Sequence, residues 1–170
     1  HTAGVPFEKR SEIFWETLEI CKLLWEKSPA SFEGNIYKFE DIWCHPQPLQ
    51  GADLPLLFGL KMTERTAEKI SKIGHGWIPI KTDEEFISNG KELLCSAFKE
   101  SNREDLPRIR GQLPTQVDDS GVPNLDLTLK QAEKSIEAGL TEIEIFPINF
   151  VRSKDDIAPV LNAISHLGNL

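Results

Sequence analysis

The sequence predicts an α/β fold built on a short parallel sheet, and three observations carry that prediction. Strand-like and helix-like segments alternate four times between Leu54 and His166. The first strand-like run, Leu54 to Gly59, is apolar, as a parallel strand buried on both faces should be. Two helical runs end at a glycine, Gly74 and Gly139, the residue suited to the position just past a helix. Strand–helix units in series argue for parallel strands joined by right-handed crossovers.

The elements follow in order. A first helix is predicted from about Glu8 to Lys27: Phe14, Leu18, Cys21, Leu24 and Trp25 recur at helical spacing, with Glu12, Glu16, Glu19 and Glu26 on the other face. Ser28-Pro29 ends it. "SFEGNIYKFEDIW" then reads as a hairpin, with apolar positions alternating on either side of Gly34-Asn35. "CHPQPLQGADLP" is an extended, proline-rich connector. After the Leu54–Gly59 strand, a helix from Thr63 to Ile73 presents Ala67, Ile70 and Ile73 inward. Trp77 to Ile80 is a second strand. Asp83 caps a helix carrying Phe86, Ile87, Leu93, Leu94, Ala97 and Phe98. Arg108 to Leu113 is a third strand, followed by the loop "PTQVDDSGVPNLD" and a helix from about Leu127 to Ala138. "TEIEIFPINF" supplies a fourth strand, and Asp156 to His166 a last helix with Pro159 in its first turn, where the missing N–H costs little.

Composition narrows the function classes. At 170 residues the chain is long enough for one well-packed domain, and its 39% hydrophobic and 27% charged content is that of a soluble globular protein. The net charge of −8, with both signs mixed along the chain, repels polyanions. Nucleic acid and anionic membrane are therefore not expected partners. No apolar run approaches the ~20 residues needed to span a bilayer. His1-Thr2-Ala3-Gly4 has no basic segment followed by an apolar one, so no secretory signal is read there and a cytoplasmic location is expected. It also lacks an initiator Met and reads as a processed, tagged or truncated end. The three cysteines, Cys21, Cys44 and Cys95, and the four histidines show no metal-like or redox-like spacing. No metal site is expected.

Four strand–helix units are half of what an eight-stranded β/α barrel needs, since that fold takes roughly 250 residues. A small open doubly wound sheet also fits four strands. Here the residues carry a resemblance. The segment "GVPFEKRSEIFWETLEICKLLWEKSPASFEGNIYKFEDIWCHPQPLQ", followed by "PLLFGLKMTERTAEKISKIGHGWIPI", resembles the carboxy-terminal half of the luciferase-like monooxygenase superfamily. The shared pattern is "GVPF", a Leu/Trp helix, a "SFxGxxYxF" hairpin, "HPxPxQ", an apolar strand ending in glycine, a phosphate-facing turn and "GxGW". The resemblance implies a partial (β/α)8 TIM barrel: about four carboxy-terminal units in one domain, 1–170, with residues 28–44 as a hairpin insertion. It also implies FMN or a deazaflavin as cofactor, and flavin-dependent oxidoreductase or monooxygenase chemistry on a small-molecule substrate. The family's first four strands, which carry much of the flavin pocket and the acid/base groups, would precede His1. The isolated chain is thus expected to have little turnover and to form a homo-oligomer. The alternative function is a non-catalytic half-barrel that is an assembly unit or at most binds flavin.

Two residues depart from the family pattern: Leu60 stands where a second glycine is usual, and His75 where Gly-Asp-Gly-Trp carries its aspartate. Free N–H groups at a helix start favour an anion, and at Lys61-Met62-Thr63 that start also carries a lysine. From spacing alone, Thr63 caps its own helix and Lys61 is a solvated lysine. The resemblance makes Gly59, Lys61, Met62 and Thr63 the grip on the flavin phosphate. Trp77 either flanks the flavin ring or fills the barrel mouth. A rival anion site at Arg152-Ser153 is disfavoured by Asp155 and Asp156. Asp118-Asp119 and Asp155-Asp156 read as turn or cap residues, because adjacent side chains point apart. Glu142 and Glu144 share one face of the fourth strand, and a salt bridge to Arg108 or Arg110 is the expected arrangement.

Overall fold

The computed structural model describes residues 4–166. The chain divides into two compact units, His1–Pro55 and Leu56–Leu170.

In the first unit, α1 (Arg10–Glu26) follows a 3-10 turn at Phe7–Lys9 and precedes a hairpin of β1 (Ala30–Glu33) and β2 (Lys38–Ile42). The strands are antiparallel, Glu33 opposite Lys38 and Phe32 opposite Phe39, so four residues, 34–37, make the loop. The two phenylalanine rings stack at 5.9 Å. A register shift lies between Ala30 and Phe32. On the opposite strand Asp41 takes a left-handed φ of 51°, and its N–H donates to Ser31 Oγ at 3.0 Å.

The periodicity of α1 misassigns two neighbours. Trp15, not Phe14, is its buried aromatic, and Glu16, expected on the polar face, is buried beside it. The reason is the hairpin loop, whose N–H groups at Asn35, Ile36 and Tyr37 all donate to the Glu16 carboxylate at 2.6–3.1 Å. Burial pushes the Glu16 carboxyl up, but the three donors outweigh it and hold it below the ordinary glutamate range. The connector "HPQPLQ" also has a structural use: Gln47 Nε2 donates to the orphan carbonyls of Leu24 and Trp25 at the end of α1.

The second unit holds a sheet of four parallel strands, β3 (Leu57–Phe58), β4 (Gly76–Trp77), β5 (Arg108–Gln112) and β6 (Glu142–Glu144), in that spatial order. Between them run α2 (Glu64–Ile73), α3 (Glu84–Glu100), then α4 (Leu125–Leu129) and α5 (Ala132–Ala138); α6 (Ile157–Ser165) comes last. Chain order and sheet order coincide. A doubly wound sheet reverses its strand order, whereas a barrel winds one way, so the fold is a partial (β/α)8 barrel.

The register places Phe58, Trp77 and Ile109 side by side on one face and Leu57, Gly76 and Arg108 on the other. The first face is the helix side, where Ile70, Ile87, Leu94 and Phe98 complete a fully buried layer. Gly76 allows the strands to meet: a Cβ there would lie 1.9 Å from the Arg108 carbonyl oxygen. Gly74 follows α2 as expected, but with an extended backbone. Its small size is needed because a Cβ would reach within 2.4 Å of the Phe58 ring. The strands are shorter than their apolar runs suggest, and the expected Leu127–Ala138 helix is two helices. Thr128 accounts for the break: its hydroxyl donates to the Asn124 carbonyl and accepts from Gln116 N–H, which ties the turn to the preceding loop.

Candidate functional site

The site is assembled where β3 feeds α2. After Phe58 the chain leaves the sheet through Gly59 and Leu60, passes Lys61 and Met62 without regular secondary structure, and enters the helix at Thr63. Met62 tucks its side chain into the core, while Gly59, Lys61 and Thr63 are exposed. That alternation explains the spacing: the buried Met62 anchors the turn, and Lys61 and Thr63 on either side of it face outward.

Thr63 is the N-cap. Its Oγ1 accepts from Thr66 N–H at 3.2 Å, and its own N–H donates to Thr66 Oγ1 at 2.7 Å, a capping box with threonine at both ends. The cap uses a lone pair of the Thr63 hydroxyl. The hydroxyl proton is either shared with Thr66 Oγ1, 2.9 Å away, or turned outward to a ligand. Capping and anion binding are therefore compatible at this residue. Thr66 was not singled out from the sequence, although a T-x-x-T spacing at a helix start is the signal for it.

Among the described residues the Lys61 ammonium forms no ion pair and the Met62 N–H has no hydrogen-bond partner. Gly59 is the informative glycine. Its φ lies outside the left-handed region, and a Cβ built on it would meet no heavy atom within 4 Å. Among the described residues neither conformation nor packing requires glycine there. What glycine leaves is free space directly over the backbone, beside a lysine and a helix start. A phosphate fits that combination of donors and space.

Trp77 is completely buried. Its ring lies against α3, where a Cβ on Gly90 would sit 2.3 Å from it, and Phe86 tilts toward it at 5.6 Å. The indole Nε1–H donates to the Leu60 carbonyl at 2.8 Å. Trp77 lies on the helix side of the sheet with no open ring face, so what it fills is the layer against α3 and not the barrel mouth.

His75 ties the other end of the strands together. Its Nδ1 accepts from Leu56 N–H at 3.0 Å, its N–H donates to the Leu56 carbonyl, and its carbonyl accepts from Arg108 N–H. The ring nitrogen thus serves as the acceptor for a backbone donor, a part that an aspartate oxygen could also play.

On the sheet face away from the helices, Arg108 and Arg110 both bind Glu142, Arg110 through Nε and a terminal nitrogen at 2.6 Å. Glu144 stands 3.9 Å from Arg110. This is the expected salt bridge. The Arg108 guanidinium first, then Arg110, hold the Glu142 carboxyl below its ordinary range against partial burial. At the rival anion site, Asp156 accepts from the N–H groups of Arg152 and Ser153 at 2.9 and 2.7 Å and from the Ser153 hydroxyl. Those donors lower its pKa, and the chain's own carboxylate occupies the place an anion would take. Asp118 likewise closes its own turn, accepting from Ser120 and Val122. Among the described residues, no group of three or more His, Cys, Asp or Glu is arranged to hold a metal, and no helix is long and apolar enough to cross a membrane.

Comparison with known proteins gives a consistent setting. A model of the family described as luciferase-like monooxygenase matches residues 1–121. Uncharacterized proteins of Mycobacterium tuberculosis and Mycobacterium bovis are 29% identical over 162 residues, which cover 95% of this chain and 52% of theirs. The chain thus spans about half the length of these curated relatives. Among solved structures, an F420-dependent secondary alcohol dehydrogenase in complex with an F420-acetone adduct superposes with a TM-score of 0.68 at 14% identity, covering 84% of this chain and 58% of that one. The coenzyme F420-dependent tetrahydromethanopterin reductase of Methanopyrus kandleri gives 0.65 at 13%, over 76% and 55%. Monooxygenase RslO1 of Streptomyces bottropensis gives 0.58 at 18%, over 79% and 42%. At these identities the structural likeness speaks to the fold.

Proposed function

Because the chain belongs to the luciferase-like monooxygenase family, we propose that it supplies the phosphate grip of a flavin- or deazaflavin-dependent oxidoreductase acting on a small molecule. The observation that carries the reading is Gly59, a glycine with open space over it and no use inside the chain, next to Lys61 and the start of α2. The F420-dependent neighbours support a deazaflavin, and the family's name is equally compatible with FMN.

In this reading Lys61 contributes a charge-assisted contact, Met62 its N–H, and Thr63 its hydroxyl proton, while Gly59 lets the phosphate come close to the backbone. The bound cofactor supplies the redox chemistry at its ring system; the chain holds and orients the phosphate end. The helix dipole adds a modest favourable field that falls off within the first turn.

The test is a pair of titrations. A charge-assisted contact is worth about 1.5–3 kcal/mol, so Lys61→Glu should weaken FMN binding more than tenfold. Riboflavin, which lacks the phosphate, should bind almost as before. Equal losses for both ligands would remove the phosphate from this turn.

A further inference from the structure

We infer that Trp77 is a positioning residue for this turn: its buried indole, through the Leu60 carbonyl, fixes the backbone that presents Gly59, Lys61 and Met62 to a phosphate. The inference rests on the reading above and concerns how the grip is held rather than what it holds.

A phosphate grip made of backbone and one lysine works only if the turn is already in place, since ordering it on binding subtracts from affinity. The turn has few supports of its own. Gly59 is unrestrained by packing, Lys61 is exposed, and the capping box begins only at Thr63. Three anchors hold it: the buried Met62 side chain and the Thr66 hydroxyl on the Lys61 carbonyl, at 2.9 Å, toward the helix, and the Trp77–Leu60 hydrogen bond in the middle.

Trp77 is well built for that task. Its ring is 0% exposed and pressed onto Gly90, where any larger residue would collide with it. The neighbouring strand residue Ile109 is also buried, so the indole has little room to turn. A donor whose direction is fixed by packing fixes its acceptor in turn. The carbonyl it fixes belongs to Leu60, directly between Gly59 and Lys61.

The experiment removes the N–H and keeps the ring. Site-specific replacement of Trp77 by 3-benzothienylalanine substitutes sulfur for the indole N–H at nearly unchanged volume. Trp77→Phe is the accompanying natural variant, expected to melt lower because it also opens a cavity. Three readouts are taken on the 170-residue chain: melting temperature, backbone 15N order parameters at residues 59–62, and affinity for FMN against riboflavin. For the benzothienyl chain we expect a near-native melt and order parameters falling from about 0.85 toward 0.6 at Leu60 and Lys61. FMN affinity should drop about fivefold, the scale of one lost hydrogen bond, with riboflavin unchanged. Native order parameters with native FMN affinity would overturn the inference, and so would equal losses for FMN and riboflavin. If the unsubstituted chain binds neither FMN nor a phosphorylated deazaflavin, the phosphate reading fails by itself. The order parameters then decide separately whether Trp77 holds the turn, native values overturning that as well.

Discussion

Gly59→Ala separates a glycine kept for a ligand from a glycine kept for the fold. On the proposed reading the chain contains both kinds, Gly59 just past β3 and Gly76 in β4. At Gly76 a Cβ would stand 1.9 Å from a backbone oxygen of the neighbouring strand, and neither backbone can yield without breaking the ladder. At Gly59 the same added carbon meets nothing, at a φ that any residue adopts. Alanine in place of a glycine in such a conformation stabilises by about 0.4–1 kcal/mol, because it narrows the unfolded ensemble. Gly59→Ala should therefore melt at or slightly above the parent chain. Gly76→Ala should lose at least the roughly 1–3 kcal/mol typical of overpacking. Ligand binding should go the other way. In the proposed site a methyl group over the Gly59 backbone would push a phosphate outward and weaken the contacts proposed for Lys61 and the Met62 N–H. Losing one charge-assisted contact, about 1.5–3 kcal/mol, corresponds to a factor of roughly ten to 150 in FMN affinity. The assay is a thermal melt of each variant beside fluorescence titrations with FMN and riboflavin. Two results would refute the reasoning: a Gly59→Ala chain that melts as badly as Gly76→Ala, or one that binds FMN as tightly as the parent. The first would mean that the fold needs this glycine; the second, that nothing approaches it.

Three further outcomes follow from the geometry. Glu142→Gln should cost on the order of 1 kcal/mol at pH 7, as a partly exposed carboxylate shared by two arginines. Since its folded pKa is depressed, that stability is present above the unfolded value and lost as pH falls, so the two melting curves should converge below about pH 4. His75→Leu leaves the half-buried Leu56 N–H without its ring acceptor and should destabilise by about 1–3 kcal/mol, whereas His75→Asp, which restores an acceptor, should recover most of the loss in the same melt. The 170-residue chain prepared alone should self-associate at micromolar concentration by light scattering, because β3 and β6 are the two edges of its sheet and unpaired edges recruit partners; a monomeric mass with a cooperative melt would show that both edges are protected.

The fold was legible because its signals are local and repeated. The helix caps at Thr63 and Asp83 and the left-handed glycine closing α5 each announce an element boundary within three or four residues. The Glu142 salt bridge was legible too, since alternation on β5 and β6 puts both arginines and both glutamates on one face. What was not legible depends on partners far along the chain. No helical wheel can tell that Glu16 turns inward, because the reason is three N–H groups about twenty residues later. The break at Lys130-Gln131 depends on Gln116, and the length of each strand on where its neighbour stops.

The same distinction governs the site. Lys61 and Thr63 became candidates through the family resemblance; the local pattern alone reads as a helix cap beside a solvated lysine. Trp77 could be named but not given a role, since ring-flanking and core-filling tryptophans look alike in one dimension. The deciding facts are a hydrogen bond across 17 residues and a glycine on the helix behind it. Together they place the aromatic residue beneath the turn. In the proposed site Trp77 would act on a phosphate through the Leu60 backbone, so its loss should weaken a phosphorylated ligand and leave one without a phosphate unaffected.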